Sequence, residues 1–421
     1  MAFELTVAEQ ALLDGKDGPA QQTAMSIVAQ IAEVQGASKL LEITQAHIDA
    51  TVYVGDAGLE FAERLAAQGA KVAVPSTLNV GAIDVHHWHE WAVPPEWASK
   101  ALRQMQAYES MGTTPTWTCA PYQTVHRPKY GQHIAWGESN AALFANSVIG
   151  ARTECYPDML DICCAIIGRV PATGLHLRAN RAGNLLLQLI EIPREVQEDD
   201  TFFTLLGYIM GRTAGNNIPV VEGLLTEPDD DSLKALAATS GSSGGIPMFH
   251  IIGVTPEAPT RETAFQGQSP EEILDITMEE LRHAWDELTT ADGAHLDMVV
   301  LGSPHLSIGE IKRLISMTEG KHAHPDVQFL VTTSRAVAHL AEQSGAMERL
   351  RTFGAKVTVD TCILTTPMLP EDVKVLMTNA GKFAYYIPGL LSRNVVFGGM
   401  EDCVRSAIEG RVHLEDRLWG K

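Results

Sequence analysis

Cysteine is scarce, at six in 421 residues, and no two are spaced as CxxC. A disulfide framework is thereby excluded, and the reduced thiols of a cytoplasmic protein are the expectation. Positive charge is also in short supply: 31 Lys and Arg stand against 52 Asp and Glu, a formal net charge of −21. A chain so acidic repels phosphate backbones and anionic lipid, which excludes nucleic-acid and peripheral-membrane roles. No apolar run approaches the roughly 18–20 residues of a membrane span. Met1 to Gly18 shows no basic stretch followed by an apolar core, so no secretory signal is expected. There is no Walker-A loop, no GxGxxG after a strand and no HExxH pair. The nucleotide-binding reading loses its usual support.

What the chain does contain is apolar material for a large core, 45% hydrophobic residues against 20% charged. Its length suggests two to four domains at about 100–200 residues each. The last third reads most clearly. Leu296–Gly302 is a short, nearly unbroken apolar run, the pattern of a strand covered on both faces. In Ser307–Glu319, Ile308, Ile311, Leu314 and Ile315 share one helical face, and Ser307 with Glu310 reads as a capping box. Strands are predicted again at Gln328–Thr332, Lys356–Asp360, Val373–Thr378 and Asn394–Phe397. Helices are predicted from Arg335 to about Gln343 and from Glu401 to Glu409. This alternation predicts a parallel α/β sheet with right-handed crossovers. In the N-terminal half, Thr23–Glu33 and Ala57–Ala67 read as helices and Leu41–Thr44 and Lys71–Val74 as strands. Gln45–His47, Val54–Gly58, Ser76–Asn79 and Gly137–Asn140 read as polar loops. Thr226–Asp231, Ser240–Gly245 and Thr255–Thr263 read as loops inside a compact body. The expectation is an α/β chain with an N-terminal portion over residues 1–200 and a C-terminal portion over 201–421.

Open parallel sheets bind ligands beyond the carboxyl ends of their strands. That rule singles out Ser303-Pro304-His305, Thr333-Ser334-Arg335, Thr361-Cys362, Asn379 with Gly381-Lys382, and Gly398-Gly399. In His86-His87-Trp88-His89, three imidazoles in four residues cannot all reach one ion from a regular helix or strand, so a surface cluster is expected. Cys119 and Cys362 each follow a β-like segment and are flanked by Thr hydroxyls, donors that suit a thiolate. On spacing alone they are either inert packing groups or ligands of an iron–sulfur cluster. Cys163 and Cys164, in the apolar run Met159–Ile167, read as core. Arg152 and Lys382 are either cations for a carboxylate substrate or ordinary surface charge.

Several longer motifs carry a resemblance. Gly55–Phe61 (GDAGLEF), Ser76–Asn79, Thr118–Tyr122 (TCAPY), Gly131–Asn140 (GQHIAWGESN) and Ala145–Thr153 (ANSVIGART) are similar to the aconitase X branch of the aconitase superfamily. So are Phe249–Ala258, Gly302–Ser307, Asp360–Cys362 and Thr378–Lys382, in collinear order from about residue 5 to 415. The resemblance implies an aconitase-like multidomain body without the small swivel domain, acting as a hydro-lyase. Two activities are known in the family: cis-3-hydroxy-L-proline dehydratase and mevalonate 5-phosphate dehydratase. The family's catalytic unit also includes a small swivel domain, either fused or made as a separate subunit. With the α/β pattern closing shortly before Lys421, the expectation is a heterodimer in which a separate small swivel-domain subunit supplies part of the site, including a serine base. Cys119 and Cys362 match the family's cluster cysteines. Many relatives carry Cys-Pro-His where this chain has Ser303-Pro304-His305, so the third thiolate is missing. The implied cofactor is therefore an iron–sulfur cluster of small size, such as 2Fe–2S, or a mononuclear iron, with Ser303 as a weaker third ligand.

Dehydrating a 3-hydroxy acid requires removal of a weakly acidic Cα proton and departure of a poor leaving group. The expected roles are iron at Cys119 and Cys362, and a substrate carboxylate held by Thr77, Asn79, Ser139, Asn140, Arg152 and Lys382. His47, Ser139 and Lys382 are the catalytic candidates, with His47 as acid or orienting group. A phosphorylated substrate calls for a dense cationic cluster, and the segment Asp158–Cys163 (DMLDIC) looks like the hydroxyproline-acting members. The expected substrate is cis-3-hydroxy-L-proline, with mevalonate 5-phosphate second and a non-catalytic binding subunit as the reading from another class.

Overall fold

The computed structural model describes residues 3–123 and 126–415. The chain divides into two compact units. The first runs to Ala182 and takes back Asp360–Pro367; the second holds Gly183–Val359 and the chain from Met368 onward.

The first unit contains β1 (Leu40–Glu42), β2 (Ala46–Ile48), β3 (Ser76–Leu78), β4 (Ala135–Trp136) and β5 (Arg169–Pro171). β1 and β5 pair antiparallel, while β3, β2 and β4 form a parallel sheet in that order. His47 lies level with Thr77 on one side and Trp136 on the other. Gln45–His47 and Ser76–Asn79 are therefore strand for most of their length, not loops. Strands of two or three residues, buried along their whole length, show no polar/apolar alternation. Lys71–Val74 is not a strand: Val72 and Ala73 donate to the carbonyls of Met111 and Ala165, outside any sheet. The helices Pro19–Val34 and Asp56–Ala67 stand where expected. Leu160–Ile167 is buried throughout, so Cys163 and Cys164 are core residues whose thiols burial pushes up, the first to about 12.

The second unit begins with β6 (Leu185–Leu189), β7 (Pro219–Glu222), β8 (His250–Ile251) and β9 (Glu272–Ile276), parallel in the order β8-β7-β6-β9. Then come β10 (Met298–Leu306), β11 (Gln328–Thr333), β12 (Ala355–Thr358), β13 (Val375–Thr378) and β14 (Asn394–Phe397). These form the expected parallel sheet, ordered β12-β11-β10-β13-β14. Helices Ile308–Thr318, Arg335–Gln343 and Met400–Glu409 flank it and close a core of Val299, Leu301, Leu314, Phe329, Val331, Leu350 and Cys403. The Ser307 capping box is present: the Glu310 amide donates to Ser307 Oγ (3.0 Å) and the Ser307 amide to Glu310 Oε2 (2.7 Å). Ser303-Pro304-His305 is not a loop but part of the last stretch of β10, inside a register shift against β11 that spans Leu301 to Leu306.

Ser240–Gly245, read as a loop from its serines and glycines, lies almost entirely within the helix Asp230–Gly244. The small residues serve helix contact instead. A Cβ on Gly207 would stand 2.5 Å from Leu236 O, and one on Gly244 1.8 Å from Gly211 O, so Phe202–Ala214 and Asp230–Gly244 meet backbone to backbone. Ser240, Ser242 and Ser243 return their hydroxyls to carbonyls four residues back, which satisfies them inside a helix. Among the described residues no helix is long and apolar enough to cross a membrane.

Candidate active site

The three parallel strands of the first unit each end in a functional side chain: Asp49 after β2, Asn79 after β3 and Glu138 after β4. This is the ligand-binding end of a parallel sheet. The Asn79 amide ties the group together, Nδ2 donating to Asp49 Oδ1 and to Glu138 Oε2, the latter at 3.3 Å. Asp161 approaches from the next helix and accepts the Asp49 amide at 2.5 Å and the Ile162 amide at 2.6 Å. Gly137 permits the approach, because a Cβ there would lie 2.8 Å from both Asp49 Cβ and Asp161 Oδ2. Burial and then the charges of Glu138, Asp161 and Asp158 hold the Asp49 carboxyl well above the usual carboxylate range. Burial pushes Asp161 up to about 7.

His47 sits beside them within β2, fully buried, its Nδ1 2.8 Å from Thr77 Oγ1 and its ring against Trp136. Burial pushes its pKa down to about 3, against a smaller opposing pull from Glu138, so the imidazole is neutral at physiological pH. The Thr118 backbone also hydrogen-bonds the ring. Ser139 is partly exposed at the start of the short helix that follows Glu138, whereas Asn140 is buried. Asn140 Nδ2 donates to Cys119 O (3.0 Å) and Tyr122 Oη (3.1 Å), fixing the loop that carries the first cysteine.

The two cysteines are brought to one stretch of chain. The Thr118 amide donates to Leu78 O at the end of β3. A few residues on, Gly81 bridges to Thr361, and Thr366 Oγ1 donates to Ala82 O (2.5 Å) while paired with Thr361 Oγ1 at 2.6 Å. Cys119 and Cys362 are thus carried by loops that both dock on residues 78–82. Each loop begins with a left-handed non-glycine residue two positions before the thiol, Trp117 (φ 44°) and Asp360 (φ 63°). Such backbone costs about 1–3 kcal/mol apiece and collects at functional sites. Two soft thiols suit an iron or iron–sulfur centre. Among the described residues no three His, Cys, Asp or Glu side chains are grouped to hold one ion.

Ser303 and Lys382 line one cleft of the second unit with Thr204, Lys234, Thr239 and Asn379. Arg152 pairs through its backbone with His133, before the start of β4 and so at the amino end of that strand. Its Nη1 reaches His176 O at 3.4 Å, which places it in a different cluster from His47. His86, His87 and His89 are exposed, as a surface cluster should be. Asp49 was not singled out by the sequence; Glu138 and Asp161 lay inside the named segments Gly137–Asn140 and Asp158–Cys163 but were given no role of their own.

The Arg152 cluster has its own titration. His176 is buried between His133 Nδ1 (3.0 Å) and the Tyr156 hydroxyl, and burial pushes it down to about 3. The unfolded chain binds a proton on this ring near pH 6.5 and the folded chain does not, so its contribution to stability is lost as pH falls below about 6.5. His176→Gln should flatten the fall of unfolding free energy between pH 6.5 and 5 by about 1.4 kcal/mol per pH unit. Denaturant titrations across that range check it; a slope equal to wild type would mean His176 protonates in the fold. Asp161, with its raised pKa, works in the opposite sense over the same range.

Comparisons with known proteins converge on one group. Family models described as Aconitase X first, second and third domain match residues 2–179, 186–286 and 296–409. The chain is 44% identical over 410 residues to a cis-3-hydroxy-L-proline dehydratase of Pseudomonas aeruginosa, covering 97% of this chain and 70% of that one. A protein of the same name from Hypocrea jecorina is 43% identical over 97% of this chain and 69% of its own. The phosphomevalonate dehydratase large subunit of Methanocaldococcus jannaschii is 33% identical over 95% of this chain and 99% of its own. Among solved structures, Thermococcus kodakaraensis aconitase X in its holo-form superposes with a TM-score of 0.87 at 30% identity, over 96% of this chain and all of that one.

Proposed function

The chain belongs to the aconitase X family, and we propose from that premise that it removes water from cis-3-hydroxy-L-proline. The immediate enamine then tautomerises to Δ1-pyrroline-2-carboxylate. The observation that carries the choice of substrate is the identity gap. Relatives named for hydroxyproline dehydration stand at 44% and 43%, those named for phosphomevalonate at 31–34%. The site supports it, since carboxylates, amides and hydroxyls gather at the strand ends of the first unit, whereas a phosphate dianion asks for clustered cations. The chain acts as a large subunit, as the archaeal relatives are named, together with a separate small subunit.

Cys119 and Cys362 would hold an iron centre, cluster or single ion, which supplies the Lewis acidity that makes hydroxide a tolerable leaving group. Asn140 and Thr118 set the Cys119 loop against β3. Thr77 and the Thr118 backbone together fix the His47 ring beside the strand-end group. With a pKa near 3, His47 is too weak a base for a Cα proton. That proton is therefore assigned to a base on the small subunit. Ser139, partly exposed beyond β4, donates to the substrate carboxylate. Proton NMR on the iron-loaded two-subunit protein should show the C2 and C3 proton signals of cis-3-hydroxy-L-proline disappearing while mevalonate 5-phosphate persists. The reverse pattern would transfer the chain to the phosphomevalonate reaction. Persistence of both would leave a binding subunit.

A further inference from the structure

We propose that Asp49 and the side-chain oxygen of Asn79 together receive the two N–H bonds of a substrate secondary ammonium at the carboxyl ends of β2 and β3. The inference rests on the dehydratase reading for the identity of that ammonium, the ring nitrogen of an imino acid. Three observations carry it. Asn79 is 1% exposed, and its Nδ2 is spent on Asp49 and Glu138, yet its Oδ1 has no hydrogen-bond partner. A buried acceptor with no donor costs free energy unless a ligand supplies one. Asp49, joined to the same amide, keeps part of its surface open. Burial and the charges of Glu138, Asp161 and Asp158 oppose a bare carboxylate at Asp49, and a cation bound beside it restores the ionised form.

The stoichiometry is specific. A protonated pyrrolidine nitrogen has two N–H bonds, and the site offers one carboxylate and one amide oxygen held by a single Asn79–Asp49 contact. Gly137 keeps the wall free of a side chain, since a Cβ there would press on Asp49. A phosphate would meet the same carboxylates with like charge. The pocket therefore selects for an amino-acid zwitterion by its nitrogen, separately from whatever holds the carboxylate.

The test uses two unreactive rings on the iron-loaded two-subunit protein: L-proline, and tetrahydrofuran-2-carboxylate, in which oxygen replaces the ammonium. Calorimetry on wild type should show L-proline binding about 10–100-fold more tightly, the range of a charge-assisted hydrogen bond. In Asp49→Asn that preference should collapse to within about threefold, through loss of L-proline affinity alone. In Asn79→Ser it should fall part of the way. Equal affinity of wild type for the two rings would overturn the inference without need of any variant. A preference that survives Asp49→Asn would overturn it too. Failure of the dehydratase reading looks different: wild type would leave cis-3-hydroxy-L-proline intact in the NMR assay, whatever the two rings do.

Discussion

Cys119→Ala should abolish iron binding and turnover in the same preparation, with turnover falling about a thousandfold or more, roughly 4 kcal/mol of barrier. Cys362→Ala should do the same. The expectation follows from how little redundancy the first unit offers. Two thiols on loops that dock against residues 78–82 are the soft donors brought together there, and no three candidate donors are grouped among the described residues. Removing either thiol leaves a single soft protein ligand, and a chelate loses most of its affinity with its second arm. Cys403→Ala is the control: that thiol is buried in the second unit's core, and burial holds it protonated, so iron content should not change. Iron analysis and the ultraviolet–visible spectrum read the metal, and NMR reads the chemistry. Wild-type turnover in Cys119→Ala would remove that residue from the reaction. Full iron content with no turnover would keep the residue and change its role.

Lys234→Ala should destabilise the second unit by about 3–5 kcal/mol, the cost of stranding buried partners. Lys234 is 2% exposed on the helix Asp230–Gly244, and its Nζ meets Asp231 Oδ1 (3.1 Å), Glu310 Oε2 and His305 O (3.4 Å). Burial alone would push its pKa down; the Glu310 and Asp231 carboxylates outweigh that and keep it charged. The pair ties this helix to the N-terminus of Ile308–Thr318, beside the cleft that holds Ser303 and Lys382. The thermal midpoint of the second unit should fall by about 6–20 °C. Lys234→Met combined with Glu310→Gln should recover most of it, because the only charge left unpaired is that of the part-exposed Asp231, which keeps the Ser307 hydroxyl, and Gln keeps the Ser307 capping box. A midpoint unchanged in Lys234→Ala would show the ammonium to be hydrated in the fold.

The C-terminal sheet was readable because its strands are four to nine residues long and alternate with helices of clear period and cap. Local signals of that length survive without knowledge of partners. The misreadings share the opposite cause. At Ser240–Gly245 the composition of a loop served a backbone-close helix pair, which depends on Gly207 and Gly211 of another helix. At Gln45–His47 and Ser76–Asn79 the strands are too short for any period, and their pairing spans 30 residues on one side and 89 on the other.

By itself, then, the sequence determined the family, the parallel α/β class, the two cysteine motifs and the acidic character of the chain, since composition and contiguous motifs need no partner to be recognised. Only the tertiary structure decided that Asp49, Asn79 and Glu138 share one strand-end group, that Arg152 belongs to another, and that Cys362 joins the first unit. The reason is physical: an acid after a three-residue strand is indistinguishable from a surface acid until hydrogen bonds across long sequence separations set three strand ends side by side.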